Sequence, residues 1–180
     1  MTADISIREI QLSDVPLIVD YWQHSDKQYL KNMGVDLTKM PSPEQMFKNI
    51  SSNINKPYEE KQAYCLIWQL NGEPIGHSNT NPTNFGKDAF MHLHLWKSEV
   101  RHKGMGAKFL QLTVATFFEK LQLKDIYCQP YAFNPAPHNA LAKAGFEFVK
   151  EYITIPGTLN YEQLVKLWHF GNERFKELNK

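Results

Sequence analysis

Cysteine is nearly missing from this chain, which has only Cys65 and Cys128. Neither a Cys-x-x-Cys nor a His-Glu-x-x-His spacing occurs, so neither a disulfide framework nor a zinc site is expected. Both cysteines lie in apolar runs that read as strands, where a thiol packs as a small, inert hydrophobe. No metal is expected, although His92 and His94 share a strand face from which both could ligate. An excess of one charge is missing as well. With a formal net charge of +1, the chain lacks the basic surplus of a protein that lives on phosphate backbones, and no nucleic acid partner is expected. Long apolar runs are also absent, and Met1-Thr2-Ala3-Asp4-Ile5 is not a basic region leading into an apolar one. The expectation is therefore a cytoplasmic protein without a membrane partner. What is present, 180 residues with 42% hydrophobic and 22% charged side chains, suits a single folded domain over residues 1–180.

Along the chain, strand-like and helix-like patterns alternate. Residues 5–10 read as a strand that leads into a helix capped near Ser13, with Pro16 in its first turn and Leu17, Ile18, Tyr21 and Trp22 at helical spacing. Residues 27–40 carry no clear pattern. A second helix starts at Ser42, with Pro43 in its first position and Gln45 completing a capping box. Strands over 62–70 and 74–81 flank Asn71-Gly72, a strong signal for a tight antiparallel hairpin. Asn81-Pro82-Thr83-Asn84 reads as turn chemistry, and residues 89–97 as the next strand. A long amphipathic helix over 106–121 follows, then a strand over 125–129 and a helix opened by Asn134-Pro135 and closed by Gly145. Residues 146–155 read as strand and 172–178 as a short helix. Periodicity leaves 161–170 open between strand and helix. The alternation predicts an α/β or α+β domain with one mixed sheet and helices on both faces.

The most informative stretch is the strand ending in Leu93-His94-Leu95-Trp96, followed by a turn with Gly104 and Gly106 that opens the long helix. Glycines there let a backbone approach a ligand closely, and the first helical N–H groups have no internal partners. A diphosphate suits such a cradle, since the helix dipole and the cationic side chains of Arg101, Lys103 and Lys108 favour an anion. A dinucleotide fingerprint would need glycine at Phe109, and a P-loop would need Gly-Lys-Ser or Gly-Lys-Thr. Neither is present.

Arg101-His102-Lys103-Gly104-Met105-Gly106 resembles the Arg/Gln-x-x-Gly-x-Gly/Ala acetyl-CoA signature of the GNAT superfamily of N-acetyltransferases. The stretch from Asn134 through Ala144-Gly145-Phe146-Glu147 resembles that family's strand-to-helix block, which commonly ends in Glu-Lys-x-Gly-Phe. The pattern Met91-His92-Leu93-His94-Leu95 before a Gly-x-Gly turn is similar to the siderophore-biosynthesis and aminoglycoside 6′-N-acetyltransferase branches, with the ribosomal-protein acetyltransferases also close in pattern. The resemblance implies a GNAT-type fold with a central, mostly antiparallel sheet, and strand for residues 161–168. It implies acetyl-CoA as cosubstrate, with the backbone of His102, Lys103, Gly104, Met105 and Gly106 on the diphosphate. The backbone around Leu95 and Trp96 would pair with the pantetheine arm, where side-chain identity matters little. Asn134 matches the family asparagine that contacts that arm, although a plain helix cap explains it equally well.

The acceptor implied is the primary amine of a small molecule or peptide, attacking the thioester directly. Such chemistry needs a group to take the amine's proton and a route to protonate the thiolate. His92 and His94, two apart, point to one strand face. The resemblance favours His92 as the base, with His94 second and Asp88 third. Many family members carry a tyrosine four residues before the final glycine as the thiolate's acid, but here that position is Leu141. Water, His138 or Tyr131 are the substitutes in view, or the thiolate leaves without one. Trp22, Tyr29, His77 and Asn79 are candidates for the acceptor pocket. The competing reading is a GNAT-fold module that binds acyl-CoA without turnover. A monomer and a homodimer both fit.

Overall fold

In the computed structural model, which describes residues 4–100 and 104–179, a seven-stranded sheet runs in the order β1-β2-β3-β4-β5-β7-β6. The strands are β1 (Ile5–Glu9), β2 (Tyr64–Leu70), β3 (Glu73–Asn84), β4 (Asp88–Leu95), β5 (Asp125–Cys128), β6 (Glu147–Thr154) and β7 (Gln163–Gly171). Every neighbouring pair is antiparallel except β4 with β5. The helices are α1 (Val15–His24), α2 (Lys27–Asn32), α3 (Pro43–Ser51), α4 (Met105–Leu121), α5 (Pro135–Ala144) and α6 (Asn172–Leu178).

Side-chain alternation along the strands divides the molecule into two layers on one sheet. Leu66 and Trp68 of β2, Ile75 of β3 and Met91 of β4 join Phe109, Leu110, Val114 and Phe117 of α4 in the main core. Trp68 stacks on Phe109 with ring centroids 4.9 Å apart, and its indole N–H donates to Thr113 Oγ1 at 2.9 Å. This explains why a threonine is tolerated on the buried face of α4. His77 of β3, set beyond a register shift at Ile75, and His94 of β4 face the other layer, where Tyr21 and Trp22 of α1 pack against them. That second layer carries the candidate chemistry.

The hairpin at Asn71-Gly72 forms with both residues at positive φ, 52° and 81°, and sets the register Leu70 opposite Glu73. Helix α5 ends at Gly145, φ 105°, whose left-handed backbone returns the Phe146 N–H to Leu141 O. Of residues 161–170, open on periodicity, all from Gln163 onward are strand. Four local expectations change. Helix α1 has Asp14 at its N-cap position but no side-chain cap, because the Asp14 carboxylate instead accepts Gln11 N–H and a bidentate Arg8 at 2.6 and 2.8 Å. The Ser42 capping box is half made: Gln45 N–H reaches Ser42 Oγ, but the Gln45 side chain turns to Asn49 instead. The patternless stretch contains α2, capped by Asp26, which accepts Tyr29 N–H at 2.8 Å. Finally, Asn81-Pro82-Thr83-Asn84 is strand and not turn. Strand β3 runs through it with a register shift between Thr80 and Thr83, where a proline costs the ladder little.

Candidate active site

The site begins where β4 and β5 part. Their parallel pairing covers Asp88, Ala89 and Phe90 against Asp125, Ile126 and Tyr127 and then stops, whereas β4 stays paired with β3 as far as Leu95. Beyond Phe90 the sheet is therefore split. A cavity of about 680 Å³ occupies this region, lined by Met91 and Leu93 from the core-facing side of β4 and by His92 and His94 from the other. Cys128, Tyr131, Asn134 and Pro137 line it across the gap. The split thus joins the two layers through the sheet.

Helix α4 opens against α5, whose opening residues Asn134 and Pro137 line the cavity. Gly104, its N-cap, has φ 73°, and among the described residues other than its chain neighbours no atom lies within 4 Å of where a Cβ would sit. The left-handed backbone explains the glycine. Gly106 has a different reason: a Cβ there would lie 3.4 Å from Ala140 Cβ, where α4 and α5 cross. Arg101, His102 and Lys103 lie outside the described residues.

Three imidazoles line the far side of the split. Register places His77 opposite His94 and Asn79 opposite His92. Trp96 Nε1–H donates to His77 Nδ1 at 2.8 Å. An indole only donates, so His77 carries its proton on Nε2. His92 Nε2 lies 3.0 Å from Asn81 O; a carbonyl only accepts, so Nε2 holds the proton and Nδ1 keeps its lone pair. His94 Nδ1 meets Tyr21 OH at 3.3 Å, and its ring stacks on His77 with centroids 4.9 Å apart. Burial pushes His77 down to about 3, with His92 adding to the effect. Burial lowers His92 too, against the opposing Asn81 hydrogen bond. It takes His94 well below the usual imidazole range, helped by His77 and His92. All three are neutral at ordinary pH.

Not every sequence candidate converges here. Asp88 sits at the opposite end of β4, takes a hydrogen bond from Asn84 Nδ2 at 2.6 Å and an ion pair from Lys87, and does not line the cavity. It is set aside as a base. Trp96 also differs from expectation, since its side chain, and not only its backbone, is used to orient His77. Asn134 stands at the N-cap position of α5 but its side chain makes no cap bond; it lines the cavity instead. Leu141 is fully buried in the core. His138 accepts Trp168 Nε1–H on Nδ1 and donates Nε2–H to Tyr131 O, both at 3.0 Å, so neither nitrogen is left for a thiolate. Trp22, His77 and Asn79 line the cavity, whereas Tyr29 only approaches it through Tyr21. Tyr21 itself was not legible as a site residue. Helical spacing marks it as core, and only the packing of α1 across the sheet brings its hydroxyl to His94. Among the described residues, no group of three or more His, Cys, Asp or Glu side chains could hold a metal, and no helix is long and apolar enough to cross a membrane.

A family model described as an acetyltransferase (GNAT) domain matches residues 4–147. The chain belongs to the GNAT acetyltransferase family. Members of this family transfer an acyl group from acyl-CoA to an amine. No curated protein matches the sequence significantly. Among solved structures, the GNAT fold is shared with aminoglycoside acetyltransferase AAC(6')-Ib in complex with coenzyme A, at a TM-score of 0.75 and 16% identity over 98% of this chain and 100% of that one. Spermidine N-acetyltransferase from Vibrio cholerae, in complex with CoA and spermine, gives 0.77 and 14% over 96% and 98%. The ribosomal L7/L12 alpha-N-protein acetyltransferase RimL, in complex with coenzyme A, gives 0.74 and 15% over 93% of each chain.

Proposed function

We propose that this single-domain GNAT protein transfers an acetyl group from acetyl-CoA to the primary amine of a small molecule or peptide, by direct attack and without a metal. The observation that carries the reading is the cavity passing through the β4/β5 split into the imidazole-lined chamber, with the first turn of α4 packed through Gly106 on Ala140 of α5, whose opening residues Asn134 and Pro137 line that cavity. The unpaired N–H groups at the start of α4, which has no acidic residue in its first turn, would hold the diphosphate together with Gly104, Met105 and Gly106 and the cations of Arg101 and Lys103. His102 would contribute its backbone there. The backbone around Leu95 and Trp96 would run beside the pantetheine arm, with Asn134 reaching it from across the gap.

In the chamber, His92 is the base. The Asn81 carbonyl fixes its tautomer, and Nδ1 has no partner among the described residues, so a lone pair is available to the attacking amine, directly or through water. A buried imidazole is a weaker base than a free one, but it stays unprotonated over a wide pH range. His94 is the second candidate, held between Tyr21, Trp22 and His77. For the thiolate, Tyr131 is the candidate phenol on the cavity wall, since the hydroxyl of Tyr64 donates to Glu9. Relatives bound to kanamycin or spermine support an amine as acceptor. Two free thiols, with Cys128 pushed up to about 12 by burial, suit the reducing cytoplasm. Either a monomer or a homodimer is compatible with this scheme.

Because Leu141 removes the usual tyrosine from the site, a second reading remains: a module that binds acyl-CoA without turnover. Calorimetric titration with acetyl-CoA, run beside a thiol-release assay over a panel of amines, separates the two. Binding with amine-dependent thiol release supports the enzyme. Binding without release from any amine supports the module.

A further inference from the structure

We propose that the acceptor is a primary amine whose remaining body is uncharged and hydrogen-bonding, and that polyamines and other polycations are poor substrates for this chain. The inference rests on the acyl-transfer reading above. Among the described residues lining the cavity, Glu9 and Lys61 alone carry a formal charge. Both are already engaged. Glu9 Oε1 accepts the hydroxyls of Tyr58 and Tyr64 at 2.6 and 2.9 Å. Lys61 Nζ donates to the carbonyls of Asn53 and Ile54, each at 2.7 Å, just past the end of α3.

The rest of the polar wall is mainly amides, among them Asn49, Gln62, Asn79, Asn81, Gln129 and Asn160, together with the three imidazoles and a few hydroxyls. Amides offer both donors and acceptors, and His77, with Nδ1 occupied by Trp96, can offer only Nε2–H. Carbonyls, amides and hydroxyls on a substrate would find partners on such a wall. A second or third ammonium would find a single carboxylate, Glu9, whose charge is opposed by nearby Lys61, and a cation left unpaired away from water is costly. The same loss of water that keeps the imidazoles neutral favours the reacting amine as its free base, which is the nucleophilic form. Several further charges on the same molecule would each oppose entry. A wall built this way selects by penalising the wrong partner as much as by holding the right one.

The test is a matched pair of amines of equal chain length, cadaverine and δ-aminovaleramide, which differ in carrying a second ammonium or an uncharged carboxamide at the far end. Thiol release from acetyl-CoA is measured with each, beside calorimetric binding of acetyl-CoA. The amide should be preferred in kcat/KM by about tenfold or more. Equal rates, or a preference for cadaverine, would overturn the proposal while leaving acyl transfer intact. Acetyl-CoA binding with no release from either amine, or from any member of the wider amine panel, would instead sink the enzymatic reading and this inference with it. In a second arm, Gln62→Glu or Asn49→Asp adds a carboxylate to the wall. Either should narrow the preference several-fold through a lower KM for cadaverine. An unchanged preference in both variants would show that wall charge is not the cause.

Discussion

Lowering the pH should destabilise this protein well before its carboxylates titrate, and His77 should account for a definable part of the loss. The sign follows from proton binding. An imidazole whose pKa is depressed by folding contributes stability that is fully present above its unfolded value, 6.5, and that is lost as pH falls toward its folded value, about 3. At about pH 4.5 the unfolded chain has protonated this residue and the folded chain has not. That is a gap of about two units, and at ~1.36 kcal/mol per unit His77 alone withdraws about 3 kcal/mol between about pH 7.5 and pH 4.5. A typical domain has ~5–15 kcal/mol in total. His92 and His94 shift in the same direction and steepen the loss. The assay is urea unfolding across that range for the wild type and for His77→Gln, whose amide oxygen can still accept from Trp96. The variant should lose about 3 kcal/mol less than the wild type over the interval. Parallel stability curves for the two proteins would refute the claim that His77 is held neutral by burial.

Three further outcomes follow from the site. His92→Ala should lower kcat by ~10²–10⁴-fold, the usual contribution of a general base, while acetyl-CoA affinity measured by titration stays within a few-fold; unchanged turnover would remove His92 from the mechanism. Gly76→Ala should slow turnover, because a Cβ there would lie 2.5 Å from His94 O and must push β4 out of line; full activity would mean that the β3/β4 register is not needed to align the imidazoles. Leu141→Tyr should cost about 1–3 kcal/mol in urea unfolding without raising kcat, since the position is fully buried in the core; a faster enzyme would show that the missing phenol limits the reaction.

Much of the fold was legible because its signals are local. Asn71-Gly72 announces a hairpin, Asn134-Pro135 and Gly145 bracket α5, and Gly104 and Gly106 mark the turn into α4. What escaped the sequence depends on partners distant along the chain. The start of α1 goes without a side-chain cap because Arg8, which belongs to β1, and Gln11 N–H take the Asp14 carboxylate, and Gln45 leaves its capping box for a contact with Asn49 one turn on. Pro82 reads as a turn on its own, and only the register shift against β4 lets it remain in a strand. In the site, the shared face of His92 and His94 follows from spacing alone. The tautomers do not: they are set by Trp96, which reaches His77 across a hairpin, and by the Asn81 carbonyl. Asp88 looked plausible because strand position counts residues and not which end of the strand opens into the cavity.

The account depends on where a coenzyme A molecule lies. A crystal structure of the coenzyme A complex should show the diphosphate on the first N–H groups of α4 and the pantetheine arm entering the gap between β4 and β5 past Phe90, with the sulfur facing His92. A cofactor bound anywhere else on the molecule, or with its sulfur directed away from the three imidazoles, would contradict the account.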